Sequence, residues 1–269
     1  MVKRWKKYLY FLGIGVDKPL PICYYIGVMR NDTKERYKMK IDRRIKYFIV
    51  LDTETANGVM RDGKLDLSDS LVYDLGWAVV DKRGKVYKSQ SVVISDIFYG
   101  EAEMMKSAYY GWKRPIYEKD LQEGRRSLMT FYDARQALLA DMVLFDIDTV
   151  CAHNAQFDYN ALNNTQRWLT KSKYRYFFPY GTIIWDSLSM AKDTINKQKT
   201  YTRFCDKNGY KTKHKTPRNR LTAEILYRYI SGNNDFLESH TGLEDVLIEK
   251  EIVKHCFRQH KKMRKTLFK

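Results

Sequence analysis

The sequence predicts a mixed α/β fold, in which a sheet of about five strands has helices on its faces. Three observations support this prediction. The apolar run YFIVLD (residues 47–52) is typical of a central strand that is covered on both faces. Two stretches of strand-forming residues follow it, with a short turn between them. Beyond residue 130, apolar residues at helical spacing alternate with two more short apolar strands.

The elements after the central strand are predicted to be a hairpin, a helix and a strand. Leu71–Asp81 and Lys85–Ser95 predict an antiparallel hairpin, because the three residues between them, KRG, form a short turn with glycine. Thr130–Phe145 predicts a helix, since its apolar residues fall on one face. The apolar stretch Asp148–Asn154 predicts the next strand.

The following segment predicts another helix and another strand. Residues 157–169 have helical spacing, with Phe157, Ala161 and Trp168 expected to face inward. Thr182–Ala191 predicts a strand that leads into a helix.

The last third of the chain is expected to be mainly helical. Asn196–Arg220 is polar and basic without periodicity, which predicts a loop or an irregular helix with a loop. Leu221–Ile230 and Gly242–Gln259 predict two terminal helices.

Basic residues are concentrated in three regions of the chain. The whole sequence has 49 Lys and Arg against 32 Asp and Glu, a net charge of +17. Residues 1–46 have a net charge of +9, residues 192–220 of +8 and residues 254–269 of +7, so the remainder is acidic at −7. We therefore expect an N-terminal basic appendage at 1–45, a central domain at 46–256 with a basic insertion at about 192–220, and a basic C-terminal tail at 257–269.

The basic regions indicate a phosphate-rich partner, because each neutralised phosphate releases a counterion. A surface that only keeps the protein in solution is the alternative explanation. Tyrosines in these regions are candidates for stacking on unpaired bases, with core packing as their alternative use: Tyr8, Tyr10, Tyr24, Tyr25, Tyr201 and Tyr210.

Cysteine spacing and hydropathy favour a cytoplasmic protein. The four cysteines have no CxxC spacing, so neither a disulfide framework nor a zinc site is predicted. The apolar run Tyr8–Val16 follows basic residues, as in a signal peptide, but it lacks a cleavage site and is too short to span a bilayer. No membrane partner is expected.

Two carboxylates, Asp52 and Glu54, follow the central strand. Because side chains alternate along a strand, both point to the same face and Thr53 points away. Close carboxylates repel each other, and a hard divalent cation such as Mg²⁺ relieves that repulsion. An Asp-x-Glu motif is common by chance, so this pair alone is weak evidence.

A third carboxylate, Asp158, follows the strand Asp148–Asn154. It lies at a helix start, where aspartate is also an ordinary structural residue. Its neighbours His153, Asn154 and Phe157 place polar and aromatic groups where a neighbouring parallel strand would end, a suitable position for a nucleotide.

The stretch ESHTGLEDVL contains a histidine just before a predicted helix. Thr241 and Glu244 have the spacing of a capping box, so the helix should begin at Gly242, with His240 one residue outside it. Asp245 then lies in the first turn. The positive end of the helix would favour a neutral imidazole, which suits a base, although a lone histidine near a helix end is more often simply solvated.

The three motifs in this order resemble those of the DnaQ-like (DEDDh) 3′–5′ exonucleases, which include proofreading subunits of bacterial DNA polymerase III. The resemblance covers about residues 46–256 and implies a ribonuclease H-like sheet, in agreement with the fold predicted above. Each motif alone is weak, but three ordered motifs on the expected strands and helices form a strong joint signal.

The richness in Lys, Tyr, Asn and Ile indicates an AT-rich genome, such as that of a phage or its bacterial host.

The resemblance implies hydrolysis of phosphodiester bonds with two Mg²⁺ ions, for which Mn²⁺ can substitute. It assigns Asp52 to both ions, Glu54 and Asp245 to the ion that holds the attacking water, and Asp158 to the other ion. His240 would be the general base. The residues expected to bind the terminal nucleotide are Thr53, Thr55, Asn57, Asn154 and Phe157. The sequence departs from the family after Glu54, where TANG replaces the frequent Thr-Thr-Gly.

The favoured hypothesis is a 3′–5′ exonuclease that acts on single-stranded or frayed DNA. An RNA-trimming exonuclease is the alternative with the same chemistry. An inactive nucleic-acid-binding accessory protein is the alternative from another class, but it gives no reason to keep four carboxylates and a histidine together. A phosphatase or an endonuclease would lack the motif order. A DNA polymerase partner would act in trans, because no polymerase motif fits in 269 residues.

Overall fold

The computed structural model describes residues 41–56, 59–61, 64–66, 68–108, 111–171 and 175–268. The chain divides into two units, and the larger one, Lys46–Phe177 with Thr182–Lys269, contains all the elements named below. The smaller unit comprises Met1–Ile45 and Phe178–Gly181, and in its described part Arg44 forms an ion pair with Asp42. The predicted basic appendage therefore lies almost wholly outside the described residues.

The larger unit is built around a seven-stranded mixed sheet. Its strands and a separate two-stranded pair are β1 (Phe48–Ala56), β2 (Val59–Arg61), β3 (Lys64–Asp66), β4 (Leu71–Val80), β5 (Val86–Ile94), β6 (Ser127–Met129), β7 (Thr149–Ala152), β8 (Ile183–Asp186) and β9 (Thr266–Phe268). The sheet order is β6-β5-β4-β1-β7-β8-β9, and β2 pairs with β3. β1 pairs antiparallel with β4 and parallel with β7, so strand direction changes at the centre of the sheet.

Helices connect and cover these strands. They are α1 (Ser95–Phe98), α2 (Ala102–Ser107), α3 (Arg114–Gln122), α4 (Phe131–Leu144), α5 (Gln156–Leu169), α6 (Ser187–Asp193), α7 (Lys199–Asn208), α8 (Ala223–Ser231) and α9 (Gly242–Arg258), with 3₁₀ turns at Gly111–Lys113 and Ile195–Lys197. Within the described residues, no helix is both long enough and apolar enough to cross a membrane. Three cysteines are buried and free: Cys151, Cys205 and Cys256.

The predicted fold class is confirmed, whereas the predicted number of strands is too low. The hairpin of β4 and β5 and the central strand β1 are present as expected. The two additional strands, β6 and β9, have three residues each and lie at the two edges of the sheet. Three residues are too few to show an alternating pattern, so the sequence gives no signal for them.

The inward orientation predicted for Trp168 is wrong. Ala161 is buried as expected, but Trp168 is 53% exposed and its indole N–H donates to Glu101. Residues 167–169, the last turn of α5, are all exposed, because the core does not extend to this end of the helix. Helical spacing identifies a shared face, but it does not show how far along the helix the core extends.

The segment Asn196–Arg220 is more ordered than predicted. Its first part forms α7, which buries Tyr201 and Cys205 and ends at Gly209 with a φ of 69°. Of the two uses left open for Tyr201, the structure shows core packing, because its side chain is fully buried and its hydroxyl donates to the Arg220 carbonyl. The rest of the segment is an exposed loop, as expected.

The two faces of β1 decide where its carboxylates point. Phe48 and Val50 belong to the core that β1 forms with residues of α6, α8 and α9. The alternate residues of the strand are buried on the opposite face. Period-2 alternation therefore directs Asp52 and Glu54 towards the side of the sheet that α9 covers.

Candidate functional site

Asp52 and Glu54 lie within β1 and not at its end. The strand continues to Ala56, because antiparallel pairing with β4 extends that far. In the described part of the chain, β7 pairs with Ile49 and Val50 and with no later residue of β1. Beyond Val50, the backbone of β1 is not paired with β7, so a side chain can bind to it on that side.

Asp158 takes that place beside β1. It lies in the first turn of α5, just after β7 ends, and its side chain is buried. Its Oδ1 accepts hydrogen bonds from the Thr53 N–H at 3.1 Å and from the Thr53 hydroxyl at 2.8 Å. Asp158 is thus held against Thr53, the residue that follows Asp52, and its charge acts on Asp52. Because both donors of Thr53 bind Asp158, Thr53 helps to position this carboxylate, and its contact with the terminal nucleotide stays a prediction.

The N-terminus of α9 packs directly on β4 through two glycines. Gly76 is the register partner of Asp52 in the sheet. A Cβ atom on Gly76 would lie 2.2 Å from the carbonyl carbon of Gly242, and one on Gly242 would lie 2.6 Å from the Gly76 nitrogen. Real Cβ atoms do not approach backbone so closely, so both positions require glycine. This contact places the start of α9 next to Asp52.

Asp74 acts as the cap of α9. Its Oδ2 accepts from the Gly242 N–H at 2.9 Å and from the Tyr117 hydroxyl at 2.7 Å. The helix begins at Gly242, as predicted, but the capping box is wrong in its detail. The Thr241 hydroxyl donates to the Glu244 carboxylate at 2.8 Å and does not accept from a backbone N–H of the helix.

His240 precedes α9 on a loop that a buried lysine holds in place. Lys113 is 5% exposed, and its ammonium group donates to the carbonyls of Ser239 and His240, the latter at 3.0 Å. His240 has a φ of 50°, in the left-handed region. Burial, and then the charge of Lys113, lowers the pKa of its imidazole. The neutral form expected of a base is therefore favoured by these two causes, and the contribution expected from the helix end stays a prediction.

The structure brings the predicted catalytic side chains together. One ligand atom each of Glu54, His240 and Asp245 lies within 4.8 Å of the others. Asp245 is buried in the first turn of α9, and its Oδ1 accepts from the Ser239 hydroxyl at 3.3 Å.

Burial is the largest cause of a raised pKa in each of these carboxylates, and the negative charge of at least one nearby carboxylate adds to it. The pKa of Glu54 rises to about 9, that of Asp245 to about 8 and that of Asp158 to about 7. The pKa of Asp52 lies well above its usual value. Carboxylates that resist ionisation in this way lack sufficient positive charge around them.

A fifth carboxylate, Glu249, joins the group and is absent from the sequence prediction. It lies one turn after Asp245 on α9 and is buried. After burial, its charge is the strongest cause of the raised pKa of Asp52. The spacing of four between Asp245 and Glu249 was the available signal, since it places both on one helix face. We call Asp52, Glu54, Asp158, Asp245 and Glu249 the acidic cluster.

The acidic cluster fits divalent metal ions. Carboxylate oxygens are the ligands that Mg²⁺ and Mn²⁺ prefer in proteins. The charges that act most strongly on Asp52 are all negative. One oxygen of Glu249, Oε2, is buried and has no hydrogen-bond partner among the described residues. Cations among these oxygens would remove the repulsion that raises their pKa values.

The predicted nucleotide-binding residues have different positions. Thr55 is partly buried in β1, and Asn57 lies outside the described residues. Asn154 is exposed with a φ of 65°, and its N–H donates to Asp186 Oδ1 at 3.0 Å. Phe157 is partly buried, and its N–H donates to the Asn154 carbonyl. Asn154 and Phe157 thus lie together at the start of α5.

His153 does not belong to that surface, and the expectation that it helps to hold a nucleotide is wrong. One ring nitrogen, Nδ1, lies 2.8 Å from the Ser187 hydroxyl, and the other, Nε2, lies 2.8 Å from the Leu221 carbonyl. Both ring nitrogens are therefore occupied by interior contacts.

Solved structures with a similar fold are nucleases. A 3′-exonuclease in a structure of 3′-end-specific recognition of a histone mRNA stem-loop superposes with a TM-score of 0.56 at 10% identity, over 83% of this chain and 87% of that chain. A full-length 3′-exonuclease gives 0.54 at 12% identity, over 82% and 85%. The nuclease domain of 3′hExo, a DEDDh family member bound to rAMP, gives 0.50 at 14% identity, over 84% and 100%.

These similarities establish that the chain has the mixed α/β fold of these nucleases. No protein-family model and no curated protein matches the sequence.

Proposed function

We propose that this protein is a 3′–5′ exonuclease that hydrolyses phosphodiester bonds with divalent metal ions. The observation that carries the proposal is that three separate segments of the chain come together, and they supply Asp52 with Glu54, Asp158, and His240 with Asp245. The shared fold with three structures of 3′-exonucleases supports the same reaction class.

The acidic cluster would hold the metal ions, with Asp52, Glu54, Asp158 and Asp245 as the proposed ligands. Mg²⁺ is the expected ion and Mn²⁺ its substitute. Bound ions would lower the pKa of the attacking water and offset charge on the phosphoryl oxygens. The protein's own part is to keep four carboxylates close together in a buried position, where water cannot compensate their charge.

His240 is the proposed general base. Its imidazole is only partly exposed, its pKa is lowered, and it lies beside Glu54 and Asp245. It can therefore accept a proton from the attacking water near neutral pH. Lys113 fixes the loop of His240 through two backbone carbonyls and so sets the position of the base.

The exposed basic residues would bind the nucleic-acid backbone. On the loop after α7 they are Lys213, Lys215, Arg218 and Arg220, and on the tail they include Lys261 and Lys262. Asn154, Phe157 and Thr55 would contact the terminal nucleotide, which keeps the roles assigned to them from the sequence.

Single-stranded or frayed DNA is the substrate that the sequence favours, with RNA as the alternative. Two of the similar structures concern RNA, since one recognises a histone mRNA stem-loop and another contains rAMP. Proofreading beside a DNA polymerase in the cytoplasm remains a proposal from the sequence. The similar structures give no support to a bacterial polymerase subunit or to a phage origin.

The test is a strand-shortening assay with 5′-labelled single-stranded DNA and RNA of the same sequence. We expect a ladder that shortens from the 3′ end with Mg²⁺ and no shortening with EDTA. Comparison of the two ladders identifies the preferred nucleic acid. Intact strands with both Mg²⁺ and Mn²⁺ would contradict the proposal, and binding without shortening would indicate the inactive accessory protein. Internal cuts that ignore the 3′ end would indicate an endonuclease.

Asp245→Asn tests the site, and Asp141→Asn is its matched control. Asp141 is also a buried carboxylate, but it is bonded to Lys88 at 2.5 Å and to the Trp77 indole at 2.9 Å. We expect Asp245→Asn to lose about 100-fold or more in rate. Asp141→Asn should lose stability and retain activity at temperatures where it is folded.

A further inference from the structure

Glu249 has a buried carboxylate on the face of α9 that also presents Asp245. The two residues are four apart, so their side chains are neighbours along the helix. Glu249 is 3% exposed. The backbone N–H of His153, directly after β7, acts on this carboxylate and lowers its pKa, but less than burial raises it. Its Oε2 has no hydrogen-bond partner among the described residues.

The N–H of His153 does not explain why position 249 is acidic. A glutamine of the same shape would offer a carbonyl oxygen to that N–H and would bring no charge into the interior. Burial raises the pKa of Glu249 well above its usual value, and the charges of Asp158 and Asp245 add to this effect. The carboxylate therefore costs stability in the absence of a cation.

Two other buried carboxylates of the described chain, Asp141 and Asp74, have a positively charged partner. Asp141 lies 2.5 Å from the Lys88 ammonium. Asp74 also has one oxygen without a partner, but its other oxygen faces Arg126 at 3.4 Å and accepts two further hydrogen bonds. For Glu249, the strongest charged neighbours are all acidic. Glu249 therefore combines an oxygen without a hydrogen-bond partner and a set of acidic neighbours, and this combination calls for a cation.

We infer that Glu249 is a fifth acidic group of the metal-binding site and increases its affinity for divalent cations. The inference rests on the proposed function, because it requires that the acidic cluster binds metal. It goes further, since the sequence motifs assign metal binding to Asp52, Glu54, Asp158 and Asp245 alone. Oε2 of Glu249 is the atom that the structure makes available for this purpose.

The experiment measures Mn²⁺ binding by electron paramagnetic resonance and thermal unfolding in EDTA, on the full chain. Glu249→Gln is compared with wild type and with Glu251→Gln. Glu251 is a matched control, because it is on the same helix but its carboxylate accepts from Lys250 and Lys254. We expect Glu249→Gln to weaken Mn²⁺ binding by about 10-fold or more. Its midpoint in EDTA should rise by roughly 2–4 °C, because a buried charge is removed.

Glu251→Gln should leave Mn²⁺ affinity unchanged. Equal affinities of wild type and Glu249→Gln would overturn the inference and leave the proposed function intact. A Glu249→Gln protein that is less stable than wild type in EDTA, or that does not fold, would also overturn it, because the charge would then serve the fold. No Mn²⁺ binding by wild type would overturn both proposals.

Discussion

Two groups of acidic side chains lie side by side in this protein and differ in how their charge is compensated. The first, which we call the arginine cluster, consists of Arg126 with Asp74, Asp120 and Glu244. The Arg126 guanidinium lies between 2.9 and 3.4 Å from all three carboxylates. The second is the acidic cluster, which has Lys113 on one side and otherwise consists of carboxylates.

Neighbouring residues belong to different clusters. Glu54 on β1 is the register partner of Asp74 on β4, although like charges in opposite positions destabilise a sheet. On α9, Glu244 binds Arg126 while the next residue, Asp245, lies in the acidic cluster. The two groups therefore share the same strands and helix, and their difference does not come from depth in the fold alone.

The pKa shifts of Asp120 and Asp245 show how the two clusters differ. Burial would raise the pKa of Asp120, but hydrogen bonds from Arg125 and Arg126 outweigh it, and the pKa is lowered. The pKa of Asp245 rises to about 8. Carboxylates that are paired with arginine need no further cation. Carboxylates that lie close together without a cation lower the stability of the fold unless a bound ligand compensates their charge. The acidic cluster therefore has the electrostatics of a binding site, and the arginine cluster those of a scaffold.

Asp52→Asn should give the largest effect and bears on the acidic cluster alone. We expect the exonuclease rate to fall by roughly 1,000-fold or more, because the substitution removes a proposed ligand. Thermal unfolding in EDTA should show a more stable protein, since one of the repelling charges is gone. The measurements are the strand-shortening assay and a melting curve. A variant that is less stable in EDTA would mean that Asp52 supports the fold.

Arg126→Met should have the opposite signature. It leaves Asp74 and its neighbours without their cation, so we expect the free energy of unfolding to fall by about 3–5 kcal/mol. Urea unfolding measures this loss. Addition of Mg²⁺ should not restore the stability, because the acidic cluster and the arginine cluster have different partners. An unchanged midpoint would show that the arginine cluster is not a structural unit.

Gly76→Ala tests the contact that joins the two clusters. The new Cβ would meet the Gly242 backbone, so α9 must shift. We expect a loss of about 1–3 kcal/mol in unfolding free energy and a fall of about 100-fold in rate through displacement of Asp245 and His240. Gly232→Ala is the control, because its φ of 72° makes alanine unfavourable although nothing lies within 4 Å. It should reduce stability and leave the rate unchanged.

The pH dependence of stability in EDTA should show the smallest effect. The folded pKa values of Glu54, Asp245 and Asp158 lie above the unfolded values near 4, so the folded state binds more protons. Stability should therefore fall as pH rises from about 4 to 9, opposed in part by Lys113. Melting curves across this range, with EDTA or with Mg²⁺, measure the trend. A slope that Mg²⁺ does not reduce would contradict metal binding at these carboxylates.

Local patterns were sufficient to predict much of the fold and the outline of the site. Alternation along β1 places Asp52 and Glu54 on one face, and the spacing before α9 identifies its start at Gly242. Both signals lie within a few residues of the feature that they predict. The central strand and the hairpin were predictable for the same reason.

Features that depend on which elements pack together were not predictable. Lys113 is distant in sequence from the loop of His240, and Asp74 is even more distant from the N–H that it caps. Gly76 is an ordinary residue of a strand until α9 is placed on it. The spacing of four residues between Asp245 and Glu249 was visible in the sequence. It could not be interpreted without the packing of α9 against β1.

The last strand, β9, has a consequence for self-association. It pairs antiparallel with β8 and covers an edge of the sheet. An uncovered strand presents unpaired N–H and C=O groups that can bind the same edge of another molecule. A chain that ended before Thr266 would expose this edge of β8 and should form aggregates through strand pairing. In such a chain, the lysines and arginines that precede β9 would oppose this pairing only in part, by charge repulsion. The same residues are available for contact with nucleic acid.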